Sequence, residues 1–263
     1  MGVVAVDRGA SMSEQRRDDA LARYGFLGDP EGRLARGRRI ARALAEFGRV
    51  DLPRARVLDI GCSAGLITEE LARHARVVVG VDPDIDSIRA ARARRHDGPR
   101  PAFLVAAGER LPMPDATFDA AVCNHVYEHA RDPFALLREI HRVLRPGGAC
   151  YCATGHTLQL VEPHHRLPLL SMLPRRLADA WMRATGKGRR YEERFLPPWR
   201  LRSLFAPFDE VRLVSPAMLR HPVHYEFPAI AAVPSWLKPL MQAAAVPIAL
   251  CAPTWIWMLR RQP

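Results

Sequence analysis

Between residues 55 and 154 the apolar positions follow two alternating rhythms. Four short runs are apolar almost throughout: "ARVLDIG" (55–61), "RVVVGVD" (76–82), "PAFLVAA" (101–107) and "TFDAAVCN" (117–124). Between and after them, "LITEELARHA", "DIDSIRAARARR" and "PFALLREIHRVL" repeat apolar residues every three or four positions. Gly147-Gly148 then turn into another apolar run, "ACYCATG". A strand with no polar face is buried on both sides. Alternation of such strands with amphipathic helices predicts a parallel sheet covered by helices on both faces. Upstream, "GRLARGRRIARALAEFG" (32–48) sets Leu34, Ile40, Leu44 and Phe47 at helical spacing beside an arginine-rich face. Residues 1–30 are polar and are expected to be a flexible arm.

The rhythm stops after residue 155. Residues 156–207 are rich in Pro and Arg and are expected to form an insertion over the carboxyl edge of the sheet. "FDEVRLVSP" (208–216) is strand-like again. Residues 217–253 are expected to be an apolar helical insertion. In 254–263, "TWIWMLRRQP", Trp255 and Trp257 fall on one face and Ile256 and Met258 on the other, as in a strand. Residues 239–259 carry no charge, which raises a membrane span. Pro239, Pro247 and Pro253 interrupt it, and removing the final strand leaves about a dozen residues, the length of a buried or interfacial helix.

Composition narrows the class. With 263 residues and 48% hydrophobic content, the chain suits one α/β domain with insertions. Its formal net charge is +11, and all its basic residues except Lys187 and Lys238 are arginine. A basic chain predicts an acidic partner, and charge alone does not choose among phosphorylated substrate, anionic lipid and nucleic acid. None of the five cysteines forms a C-x-x-C pair and the histidines show no zinc spacing, so no metal is expected and buried free thiols are. The amino terminus has no apolar stretch of the kind a signal peptide needs, and a cytoplasmic protein is expected.

The chemistry concentrates in "VLDIGCSAGLITEELA" (57–72). Gly61-Cys62-Ser63-Ala64-Gly65 has the form G-x-S-x-G, the elbow that presents a nucleophilic serine. Asp59 two residues earlier, and the position at the first strand of the series, speak against that reading. A dinucleotide loop, G-x-G-x-x-G, would need glycine where Ser63 and Leu66 stand.

A third reading takes in more residues. "VLDIGCSAG" resembles the first motif, D-x-G-x-G-x-G, of class I S-adenosylmethionine-dependent methyltransferases, with Ser63 in place of the middle glycine. The resemblance continues in register: "VVGVDPD" ends a second strand at Asp82, "GERLPMPDATFDAAVCN" follows, and "RVLRPGGACYC" closes it. In detail the chain is similar to the methyltransferase type 11 group, which includes the ubiquinone and menaquinone biosynthesis methyltransferases. The resemblance implies a Rossmann-like, seven-stranded, mostly parallel sheet with substrate-side insertions. It implies a cofactor-binding core over 31–155 and S-adenosylmethionine as cofactor. It places Asp59, Gly61, Cys62, Ser63, Gly65, Asp82, Pro83, Gly108, Glu109, Asn124 and His125 against that cofactor, with Asp82 on the ribose hydroxyls. Where relatives often carry an acid for the adenine amine, this chain has Ala107.

A hydroxyl acceptor would benefit from a general base, and His suits neutral pH. The candidates are His125, after the fourth strand, His129, His156, and His164 and His165 in the first insertion; of these His129, beside Glu128, is expected instead to anchor the next helix. Residues 156–203 carry ten Arg or Lys against four acids, and all five tryptophans lie outside the core motifs. These features point to in-line methyl transfer to a hydroxyl or carbon of a small-molecule or lipid-linked, anionic acceptor and to peripheral membrane contact. No "NPPY" follows the fourth strand, so nucleic acid is not expected as a partner. The alternatives are a non-catalytic binding protein on the same fold and a serine hydrolase using Ser63.

Overall fold

The computed structural model describes residues 29–94, 98–162 and 164–263. The arm expected over residues 1–30 lies outside the described residues except at its end. There Asp29 caps, and Pro30 begins, helix α1 (Pro30–Glu46). The Asp29 carboxylate accepts the Gly32 N–H at 2.9 Å, satisfying one of the donors a helix start leaves open.

Three βα units follow the expected rhythm: β1 (Arg56–Ile60), α2 (Leu66–Ala72), β2 (Val77–Asp82), α3 (Ile85–Ala93), β3 (Ala102–Val105), β4 (Phe118–Asn124) and α4 (Pro133–Val143). The fifth strand, β5 (Leu144–Thr154), begins before the glycine pair and not after it. Its pairing jumps from Phe118↔Leu144 to Ala120↔Ala149, a bulge that absorbs Gly147 at φ +80°.

The sheet order is β3-β2-β1-β4-β5-β9-β8, where β8 is Glu210–Leu213 and β9 is Trp255–Arg260. The first five strands are parallel, and β9 runs antiparallel to both β5 and β8. Strand order reverses between β1 and β4. Their carboxyl ends therefore border the crevice where open α/β sheets take ligands.

The continuous apolar runs are explained by the two faces. Leu58, Ile60, Cys123 and Cys152 face one core with Leu136, Leu137 and Ile140 of α4. Val57, Val122, Tyr151 and Ala153 face the other with Ile40 and Leu44 of α1. Each fully buried Leu or Ile contributes about 1.5–3 kcal/mol relative to exposure.

The first insertion contains a two-stranded ribbon, β6 (Val161–Glu162) with β7 (Leu167–Pro168), then α5 (Arg175–Ala184) and α6 (Pro198–Leu204). Leu167, Leu170, Ala178, Met182, Tyr191 and Phe195 give it a small core of its own. The strand expected over 208–216 is cut short. Ser215 opens helix α7 (Ser215–Leu219), and its hydroxyl accepts the Ile256 N–H at 2.8 Å. Pro216 has no N–H to offer a ladder. The second insertion is a set of short helices, α8 (Pro228–Ala231), α9 (Lys238–Ala243) and α10 (Ala245–Cys251). Among the described residues no helix is long and apolar enough to cross a membrane.

Candidate functional site

The turn after β1 is built on left-handed backbone. Gly61, Ser63 and Gly65 have φ of +70°, +49° and +82°. Glycine adopts this region freely; serine does so at a cost. A Cβ on Gly61 would lie 2.6 Å from Val126 Cγ2, and one on Gly65 2.7 Å from Phe103 Cζ, so bulk is excluded at both. The Gly61 and Cys62 N–H groups donate to the Val81 carbonyl, at 2.8 and 3.1 Å, and tie the turn to the end of β2. The Ser63 N–H donates to Asp82 Oδ2 at 2.8 Å, and the Asp84 N–H to Asp82 Oδ1 at 2.9 Å. Burial raises the Asp82 carboxyl above its ordinary value against the pull of these donors. Pro83, just beyond, is exposed.

Asp59 lies beneath the turn. It is buried and its Oδ2 accepts the Thr68 hydroxyl at 2.7 Å. Desolvation, with the Asp82 charge adding to it, pushes its pKa to about 7. Cys62 is buried against Gly80, and burial with the neighbouring carboxylates pushes its thiol up, which makes it a packing residue and not a nucleophile. Among the described residues no histidine or carboxylate bonds the Ser63 hydroxyl, so the elbow has no base.

The loop after β3 passes close to the core. A Cβ on Gly108 would sit 2.5 Å from Leu136 Cδ1 and 2.9 Å from Ile60 Cγ2. Glu109 Oε1 accepts the Arg131 N–H at 2.9 Å and so links this loop to the one after β4.

At the end of β4, Asn124 and His125 line a cavity of about 230 Å³. Its other walls come from α1 (Arg36, Arg39), β5 (Tyr151, Ala153), the second insertion (Phe227, Ile230), Thr254 just before β9, and Ile256 within it. His125 is held on both ring nitrogens. Nδ1 is 2.9 Å from Glu128 Oε1 and Nε2 is 3.2 Å from the Thr254 hydroxyl. Its backbone, at φ +58°, donates to the Ala153 carbonyl at 3.0 Å. A Glu128 carboxylate accepts only, so Nδ1 carries the proton and Nε2 the lone pair.

Arg39 donates to the Tyr225 carbonyl at 2.6 Å and to the Glu226 carbonyl. It lies 4.0 Å above the Phe227 ring. Among the described residues Arg36 has no hydrogen-bond or ion-pair partner. The arginine face of α1 thus contributes to the cavity wall. So do Thr254 and Tyr151. None of these four is singled out by its sequence, because only the tertiary fold brings α1, β5 and β9 together.

His164 and His165 are elsewhere. Neither lines the cavity. His164 Nδ1 is 2.7 Å from Glu162 Oε1, the His165 N–H donates to Glu162 Oε2 at 2.6 Å, and His165 Nε2 is 3.3 Å from Glu193 Oε2. Burial disfavours a charged His164, but the Glu162 hydrogen bond and the charges of Glu162, Glu193 and Glu128 together outweigh it and raise the imidazole above its ordinary value. His129 is exposed, with its ring edge-on to His164 at 5.5 Å. His156 is fully buried, stacked on Trp255 at 4.3 Å, with Nε2 2.8 Å from the Ala252 carbonyl.

A family model described as a methyltransferase domain matches residues 58–152. A ubiquinone biosynthesis O-methyltransferase of Xylella fastidiosa (strain M23) is 31% identical over 193 residues, 65% of this chain and 76% of that protein. One from Xanthomonas campestris pv. campestris (strain B100) is 35% identical over 108 residues, 40% of this chain and 45% of that protein. Among solved structures, an S-adenosylmethionine-dependent methyltransferase from Mesorhizobium loti superposes with a TM-score of 0.53 at 19% identity, covering 84% of this chain and 96% of that one. A geranyl diphosphate C-methyltransferase from Streptomyces coelicolor A3(2) gives 0.50 at 14%, covering 85% and 78%. These two show a shared fold. The motif region that forms the β1 turn, the Asp82 strand end and β4 is the region the family model matches, and the 31% relative extends well beyond it. The chain belongs to the class I S-adenosylmethionine-dependent methyltransferases, in the methyltransferase type 11 group, and transfers a methyl group from that cofactor to a small-molecule acceptor.

Proposed function

We propose that the acceptor is a hydroxyl on an amphipathic, lipid-linked molecule seated in the cavity at the ends of β4 and β5, with His125 as general base. The observation that carries this reading is His125 itself: it lines the cavity, and its proton-bearing Nδ1 is fixed by Glu128 so that Nε2 is the basic nitrogen. The similarity to relatives named as ubiquinone biosynthesis O-methyltransferases supports a hydroxyl on a lipid-linked acceptor.

The residues present fit the cofactor. Each Asp82 oxygen accepts one backbone N–H, and a carboxylate has about four lone-pair sites, which leaves acceptors for the two hydroxyls of a ribose. The tight, small-residue turn at Gly61–Gly65 lets ligand atoms approach the backbone closely. In this reading Asp82 holds the ribose, and Gly61, Cys62, Ser63 and Gly65 form the wall beside it. Pro83, Gly108, Glu109 and Asn124 close the rest, and Asp59 supports the turn from below through Thr68. Bound there, the cofactor supplies a methyl group already activated on a sulfonium. The chain's own work is alignment and exclusion of water. The acceptor hydroxyl displaces the Thr254 hydroxyl from His125 Nε2, which then takes the acceptor's proton, and Arg36 and Arg39 face the part of the acceptor that carries negative charge.

The second insertion supports contact with a lipid surface. Trp236 is 76% and Leu240 65% exposed, in a chain of net charge +11. The deciding assay gives the purified protein S-adenosylmethionine and paired acceptors that differ only in hydroxyl against methoxy and in tail length. Transfer confined to the hydroxyl forms, and faster with an apolar tail, supports the reading. Transfer to carbon or nitrogen acceptors alone ends it.

A further inference from the structure

A chain with 39 basic and 28 acidic residues would be expected to meet each buried carboxylate with arginine. Between the loop after β4 and the first insertion it does not. Glu128 and Glu162 have fully buried side chains, and Glu193 lies beside them, 12% exposed. Among the described residues their only charged-pair partners are His125, His164 and His165. No arginine or lysine stands among these partners, and a buried charge that lacks a compensating cation is costly. Glu128 Oε2, moreover, has no hydrogen-bond partner at all.

We propose that Glu128, His129 and His164 form a binding site for a divalent transition-metal ion such as zinc. One ligand atom from each lies within 4.8 Å of the others. Two imidazoles with one carboxylate are a ligand set that suits such ions and leaves a fourth position open. The supporting contacts are in place. Glu162 holds His164 Nδ1, which assigns the lone pair to Nε2, and Glu128 Oε1 is steadied by His125 while Oε2 stays free. Bonds of about 2.0–2.2 Å bring tetrahedral ligand atoms to about 3.4 Å from one another. The cluster therefore tightens around the ion, and exposed His129, with no hydrogen bond on its ring among the described residues, supplies the movement and the entry path. Glu128 and His129 come from the loop after β4 and His164 from the turn between β6 and β7, so the ion staples the first insertion to the core. Sequence spacing hides the site because position 164 lies 35 residues beyond position 129.

The test uses the full chain after chelator treatment and reads binding, not methyl transfer, so it stands apart from the acceptor assay. Calorimetric titration with Zn2+ at neutral pH is expected to show one tight equivalent and a raised Tm, with Mg2+ doing neither. His129→Gln, which removes an exposed and unbonded ring and so leaves folding intact, is expected to weaken Zn2+ affinity at least tenfold; His164→Asn and Glu128→Gln do the same. His224→Ala, on the distant α1 side, leaves it unchanged. No tight equivalent in the parent protein overturns the proposal, as does undiminished affinity in His129→Gln.

Discussion

The Ser63 N–H donates to the Asp82 carboxylate at 2.8 Å across the gap between the β1 turn and the end of β2. The serine that resembled a nucleophile serves through its backbone, by holding the carboxylate proposed above to bind the ribose. Its left-handed φ of +49° is the conformation a glycine there would adopt without strain.

Ser63→Gly is therefore expected to keep cofactor affinity and leave Tm equal or slightly higher. Asp82→Ala is expected to lower affinity roughly ten- to hundredfold, since a hydrogen bond to a charged group contributes about 1.5–3 kcal/mol. Gly61→Val meets both a φ of +70° and Val126 at 2.6 Å, and is expected to lower Tm as well as binding. Calorimetry with S-adenosylhomocysteine and a thermal melt separate the three.

Removing the His125 ring is expected to lower kcat by about 10²–10⁴-fold, the usual share of a general base. His125→Ala should change the cofactor Kd far less. Arg36→Gln, by contrast, should raise KM for acceptors that carry a negative group and leave kcat near its parent value. Steady-state kinetics on charged and neutral acceptors distinguish these outcomes.

Asp59 gives a pH signature. Its folded pKa of about 7 exceeds its ordinary 3.8, so the folded state holds this proton more tightly than the unfolded one. The stabilisation is complete below about pH 4 and is lost as pH rises towards 7, a change on the order of 4 kcal/mol. Asp59→Asn keeps an oxygen for the Thr68 hydroxyl and removes the ionisation. Its Tm gain over the parent protein should be larger at pH 8 than at pH 5; an equal gain at both would refute the shift.

Tyr127 couples the core to the first insertion. Its buried hydroxyl donates to the Gly155 carbonyl at 2.7 Å and accepts the Leu196 N–H at 3.3 Å. Tyr127→Phe leaves both backbone groups short of a partner and is expected to destabilise the fold by about 1–3 kcal/mol, read by denaturant unfolding.

Membrane contact is tested by sedimentation with anionic vesicles. Trp236→Ser with Leu240→Ser should move protein from pellet to supernatant without altering Tm, because both side chains are exposed. Binding that does not respond to the double substitution would assign the contact to another surface.

Much of this molecule was legible along the chain. Val57 and Leu58 sit side by side in sequence and face opposite cores, and apolar runs of that kind announce a sheet covered twice. The motif residues from Asp59 to Asn124 lie on consecutive strand ends, so local order alone placed them near one another. Errors fell where local rules compete with tertiary ones. β5 starts at Leu144 because a bulge opposite Phe118 admits the glycine pair, and β8 stops at Leu213 because Pro216 breaks the ladder.

By itself, then, the sequence determined the strand–helix rhythm and the small-residue turn after β1, whose residues are constrained by backbone geometry and burial within a few positions of one another. Only the tertiary structure decided which histidine faces a cavity. His125, His164 and His165 are equivalent as residue types, and their roles follow from what folding sets beside them. Thr254 lies just before β9, 129 residues downstream of His125, while Glu162 and Glu193 take the other two. Hydrogen bonding and burial act through space, and no spacing along the chain encodes them.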